Sequence, residues 1–213
     1  IDSTGPANTY TASQPAEAQP GDVDQAGADV SLLAGAQIGT INGTAGAGDR
    51  LLVVAGAGDL EIGNVTRTGL TAINSLRLVA NNIQLNAAGT SGNTIDIDAS
   101  GDVTAAGALT DDVGSITIDA AGVIRLEGMV SAGGELSLAS AGTTLGGSDA
   151  VVLQGPVAGA IVTVSSASGG VRLDDLVTSV VGAVTIQGAE RVSVAGNITA
   201  GGELVVAPAS TNI

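Results

Sequence analysis

A chain of 213 residues with 21 acidic and 6 basic side chains, and hence a formal charge of −15, repels nucleic acid and anionic membrane surfaces. It contains no cysteine and no histidine, which excludes disulfides, thiolate nucleophiles, the common zinc sites and imidazole-dependent triads. Hydrophobic residues make up 44 %, yet Tyr10 is the only aromatic ring, so a core must be built from Val, Ile, Leu and Ala. The 33 glycines are scattered, and each would cost a helix interior about 1 kcal/mol relative to alanine, which favours extended structure with many turns. Mean hydropathy is +0.43. No apolar run reaches the roughly 18 residues of a spanning helix, because Gly, Ser, Thr, Asp or Asn interrupts each candidate, and no membrane insertion is expected.

In chain order, the opening Ile1-Asp2-Ser3-Thr4 has neither the basic region nor the apolar run of a signal peptide. Residues 1–28 place Pro6, Pro15, Pro20, Gln14, Gln19 and Gln25 among alanines and small polar residues, with Ile1 and Val23 as the only branched aliphatics. That composition predicts an extended arm with no core of its own, packed on its own domain or linking one subunit to another.

Residues 29–213 are predicted to form one repetitive domain. Short apolar-x-apolar units recur between Gly, Asn, Asp or Ala-Gly turns: Leu52-Val53-Val54, Leu76-Arg77-Leu78, Ile95-Asp96-Ile97, Ile116-Thr117-Ile118, Leu136-Ser137-Leu138, Val162-Thr163-Val164, Val184-Thr185-Ile186 and Leu204-Val205-Val206. Each reads as a strand with two side chains inward and one outward. The period is about 20–22 residues, with one longer excursion assigned to an insertion from Thr143 to Pro156. Further units lie between them, such as Ile83-Gln84-Leu85, Ile124-Arg125-Leu126 and Val192-Ser193-Val194.

A stronger echo is superposed at an offset of 68 residues, which carries Ser115-Ile116-Thr117-Ile118 onto Ala183-Val184-Thr185-Ile186 and Gly133-Gly134-Glu135-Leu136 onto Gly201-Gly202-Glu203-Leu204. Three coils of a stack account for it. The prediction is an all-β parallel β-helix, or β-solenoid, in which each coil repeats its apolar side chains over the one below. A β-sandwich also offers short strands at regular spacing, but it calls for larger core residues than this chain has.

Acidic groups are the candidates for chemistry. Asp96, Asp98 and Asp102 form one group, and Asp111-Asp112 and Asp174-Asp175 form two pairs 63 residues apart, predicted to mark equivalent corners of the coil. Calcium is the ion such pairs could bind, and corner aspartates that hydrogen-bond their own backbone are the simpler reading. Two Gly-Asp units ending at Asp49 and Asp59 read as ordinary turns in the same way. No cofactor is required by any motif. The outward positions Arg77, Asp96, Thr117, Ser137, Thr163, Thr185 and Val205 make a solvated face, on which Arg77 and Asp96 are expected to form a surface ion pair.

The grammar of Ala132-Gly133-Gly134-Glu135-Leu136-Ser137-Leu138-Ala139-Ser140, Ala200-Gly201-Gly202-Glu203-Leu204-Val205-Val206-Ala207 and Gly114-Ser115-Ile116-Thr117-Ile118-Asp119-Ala120-Ala121-Gly122 resembles the filamentous-haemagglutinin-like exoproteins and autotransporter passengers of Gram-negative bacteria. The resemblance covers about residues 50–207. It implies a right-handed parallel β-helix, placed outside the cell or on the bacterial surface, acting as an adhesin or structural protein rather than an enzyme. The partners it implies are further copies of the chain in a fibre, or a surface receptor or glycan. The alternative is a secreted polysaccharide lyase or hydrolase of β-helix type, working through grouped carboxylates. Against it stand the missing aromatics for sugar stacking and the absence of lysine and histidine.

Overall fold

The computed structural model describes residues 2–3, 8–11, 21–26, 30–33, 37–44, 50–54, 60–67, 75–85, 89–91, 94–142 and 148–208, with side chains at 76–85, 94–142 and 148–208. Among them every regular element is a strand, and the strands form three sheets of ten, ten and six strands. All pairings are parallel, and each strand pairs with its counterpart one coil away. From Ser75 onward the described residues form a three-sided β-solenoid.

From Ser75 a coil takes one strand from each sheet in turn. Sheet 1 receives a long strand (Ser75–Ala80), sheet 2 a three-residue strand (Ile83–Leu85) and sheet 3 another (Gly89–Ser91). This is coil 1. Coils 2 to 6 span 94–111, 115–132, 135–159, 161–179 and 184–200, and Leu204–Pro208 adds a last strand to sheet 1. Upstream, the described strands Asp2–Ser3, Gly21–Ala26, Gln37–Thr44 and Leu60–Arg67 belong to sheet 2, and Asn8–Thr11, Val30–Leu33 and Arg50–Val54 belong to sheet 1. The predicted arm thus contributes strands to the same two sheets.

Alternation with period two decides which side chains are buried. In sheet 1, Leu76, Ile95, Ile116, Leu136, Val162 and Val184 stack in one inward column, and Leu78, Ile97, Ile118, Leu138, Val164 and Ile186 in the next. All twelve are fully buried. Sheet 2 adds the Ile83-Val103-Ile124-Val151-Val171 column, and sheet 3 adds Leu109-Val130-Val157-Val177. No large ring is needed to span so narrow an interior. At the corner between sheets 1 and 2 the inward column is small throughout: Ala80, Ala99, Ala120, Ser140, Ser166 and Gly188. A bulky side chain there would meet the chain as it bends.

Two expectations need correction. The Leu51-Leu52-Val53-Val54 run enters sheet 1 with Leu51, not Leu52, opposite Leu76. Four consecutive apolar residues carry no alternation from which the phase could be read. The insertion is also shorter than Thr143 to Pro156, because Asp149–Leu153 is a core strand of sheet 2. The extra length is confined to residues 141–148, where other coils turn the same corner in three residues (121–123 and 167–169), and to a register shift between Asp149 and Val151.

Candidate functional site

The ionisable residues are distributed over corners and outward columns. Asp111 ends the sheet 3 strand of coil 2 and is 2 % exposed. Its Oδ1 accepts the backbone N–H groups of Val113 (3.1 Å) and Gly114 (2.5 Å), closing the turn into sheet 1. Asp112, beside it, is exposed. Asp174 and Asp175 follow the sheet 2 strand of coil 5 instead. Asp174 receives both Nε and Nη2 of Arg172, at 2.8 and 2.5 Å, and Asp175 Oδ1 accepts the Leu176 N–H at 2.7 Å.

The two pairs therefore occupy different corners, three coils apart, against the expectation of equivalence. At ~4.8 Å per coil they are separated by about 14 Å along the axis, too far to share an ion. The position equivalent to Asp111 is Ser179, found by following the register through Ala132 and Gly159. The offset is 68, not 63: the phase of the coil, rather than residue type, sets which sites correspond. Ser179 repeats the turn chemistry, since its Oγ accepts the Gly182 N–H (3.1 Å) and donates to the Ala160 carbonyl (2.6 Å).

Asp96, Asp98 and Asp102 also divide. Arg77 lies opposite Asp96 in the register, with Nη1 to Oδ2 at 2.7 Å, the expected surface pair. Both are well exposed, which limits the contribution to about 0–1 kcal/mol. Asp102 is a staple between coils: Asn82 Oδ1 accepts the Asp102 N–H (2.8 Å), and Asp102 Oδ1 accepts the Val123 N–H (2.7 Å). Gly122 lies directly under the Asp102 carboxylate, where a Cβ would collide with it. A second clamp joins Arg191 Nε to Asp149 Oδ1 at 2.9 Å, crossing over Gly170 of the intervening coil.

Asp98 and Asp119 are stacked in register and open onto a shallow groove of about 660 Å³ along the corner between sheets 1 and 2. Ala139, Ser140, Ser165, Ser166 and Gln187 continue its lining over the following coils. Partial burial, then the nearby Asp98 and Asp96 charges, hold the Asp119 carboxyl above its ordinary value of 3.8. The fold therefore disfavours the ionised form; the penalty is absent below 3.8 and is established as pH rises through the folded value. Asp174 behaves oppositely, because the Arg172 hydrogen bond lowers its pKa, and its contribution is present above 3.8 and lost as pH falls through the folded value. Asp119→Asn is expected to melt above the parent protein at about pH 7 and level with it at about pH 3, as measured by circular dichroism. A lower melting temperature at neutral pH would contradict this assignment.

Among the described residues no group of three acidic side chains is gathered closely enough to hold a metal ion. The units ending at Asp49 and Asp59 lie outside the described residues. The buried serines at 140, 166 and 179 are functional parts of the scaffold that the sequence reading passed over. Ser140 Oγ donates to the Gly122 carbonyl (2.6 Å) and accepts the Gly142 N–H (3.1 Å), and Ser166 Oγ accepts the Gly169 N–H (3.0 Å). Their signal was positional: Ser140 and Ser166 both end six-residue strands, opposite one another in register.

These features define a three-sided parallel β-solenoid whose charged and hydroxyl groups largely staple its own corners. Comparison with protein-family models, characterised proteins and solved structures finds no match for the chain.

Proposed function

We propose that the protein is an extracellular structural or adhesive surface protein, a rigid solenoid that displays repeated faces and assembles through its ends and N-terminal arm. The observation that carries this reading is the use made of its polar groups. Asp102, Asp111, Asp175, Ser140, Ser166 and Ser179 bind backbone at corners, and Arg77, Arg172 and Arg191 bind carboxylates of the same solenoid. The outward column Thr117-Ser137-Thr163-Thr185 remains as an uncharged, in-register face of the kind a display scaffold offers to a receptor, glycan or neighbour.

Assembly through the ends would use sheet edges, because an edge strand offers unpaired backbone groups to another chain. Electron microscopy of the purified chain is expected to show fibres or sheets, and deletion of residues 1–28 to leave single rods. Fibres unchanged by the deletion, or single rods in both samples, would overturn assembly through the arm.

A further inference from the structure

Three successive coils share one position where the chain enters sheet 2. Asp149 of coil 4 lies opposite Gly170 of coil 5. Arg191 of coil 6 follows, since Val192 lies opposite Val171 and the Val171 N–H donates to the Arg191 carbonyl. The middle residue has no side chain, and the outer two meet across it: Arg191 Nε donates to Asp149 Oδ1 at 2.9 Å. A Cβ on Gly170 would stand 2.6 Å from that same Oδ1, 2.7 Å from Arg191 Cγ and 3.2 Å from Nε, so the bond fills the space a side chain would take. The Asp149 side chain is only 11 % exposed, which shields that end of the bond from water.

We propose that the Asp149–Arg191 pair is a strap that latches coil 6 to coil 4 over the top of coil 5, so that local opening of coil 6 requires its release. The backbone ladders join each coil to the next. The other ion pairs reach no further: Arg77 and Asp96 lie in adjacent coils, and Arg172 and Asp174 lie in the same one. The strap spans two coil spacings, about 9.6 Å. In a stack coupled only through its ladders, a change in coil 4 is felt in coil 6 through coil 5. The strap adds a coupling that skips a coil.

Coil 6 is where such a link has the most effect. Val192, Val194, Ile198 and Ala200 are partly buried and pack against the core, whereas their counterparts Val171, Leu173 and Val177 in coil 5 are fully buried. Less apolar burial means a smaller free energy of local opening, and an ion pair of ordinary strength then shifts that opening measurably. Gly170 belongs to the device. The nearest atom its Cβ would meet is the carboxylate end of a side chain rather than backbone, so alanine there displaces Asp149 and undoes the strap.

Native-state hydrogen exchange followed by NMR offers two reporters. The Ala195 N–H donates to the Leu173 carbonyl and reads the ladder between coils 5 and 6; the Asp174 N–H donates to the Leu153 carbonyl and reads the one between coils 4 and 5. Asp149→Ala and Arg191→Ala are each expected to speed exchange at Ala195 about three- to fivefold while Asp174 stays within about twofold. Combining them should add nothing to either alone. Arg172→Ala removes a pair confined to coil 5 and should leave Ala195 unchanged. Gly170→Ala should match the single variants in the parent chain and have no further effect alongside Arg191→Ala, where its Cβ takes the room of the missing stem. Asp149→Ala acting on Asp174 as strongly as on Ala195, or Gly170→Ala acting equally with and without Arg191, would overturn the proposal.

Discussion

Ile118→Ala is expected to lower the unfolding free energy by about 2–5 kcal/mol, whereas Val194→Ala, the same kind of truncation in coil 6, costs about 1 kcal/mol or less. Ile118 is fully buried at the middle of its column, with Ile97 in register on one side and Leu138 on the other. Removing its side chain leaves a cavity that neighbours fixed in hydrogen-bonded ladders cannot collapse into, and no flexible ring is at hand to fill it. Val194 belongs to the partly buried fringe packed against the core and already meets solvent. In a stack where each coil contacts only its neighbours, a central defect uncouples the coils on its two sides, while a terminal one loosens a single coil. Urea unfolding followed by far-ultraviolet circular dichroism measures both. Equal shifts for the two variants would show that stability is not organised coil by coil.

The second large effect is expected at Asp111. Asp111→Ala leaves the Val113 and Gly114 N–H groups without their buried carboxylate acceptor at a part-buried turn and should cost about 1.5–3 kcal/mol, the range for hydrogen bonds to a charged group. Asp111→Ser should restore most of that loss, because Ser179 performs the equivalent closure with a hydroxyl. The two substitutions also separate turn chemistry from calcium binding. A chelator is expected to leave the melting temperature of the parent and of Asp111→Ser unchanged. A fall in the parent alone would assign Asp111 to a metal ion instead.

The sequence carried the architecture wherever apolar and polar positions alternate. The triplets from Leu76-Arg77-Leu78 to Val184-Thr185-Ile186 lie opposite one another in the sheets as their period implies, because burial on one face and solvent on the other leaves one workable phase. Where alternation fails, so does the reading: Leu51 to Val54 is apolar throughout, and its phase shows only in the pairing with Ser75–Ala80. The acidic pairs were misplaced for a different reason. An interval of 63 residues resembles three coils, but corners recur at 68 across this part of the chain, since the coil containing 141–148 is longer. Asp111 and Asp174 consequently look alike in sequence and differ in surroundings, one buried in a turn and the other on the surface beside an arginine.

The longer corner at 141–148 separates two quantities that a strict repeat would tie together. Before and after it the columns keep phase: Ile124 lies opposite Val151, and Leu136 opposite Val162. Height along the rod is counted in strands, whereas distance along the chain is counted in residues, and this corner absorbs the mismatch. Extra chain length between Ser140 and Asp149 therefore leaves the ladders on both sides in register, so residue count can differ from coil to coil while the spacing of the stack stays constant.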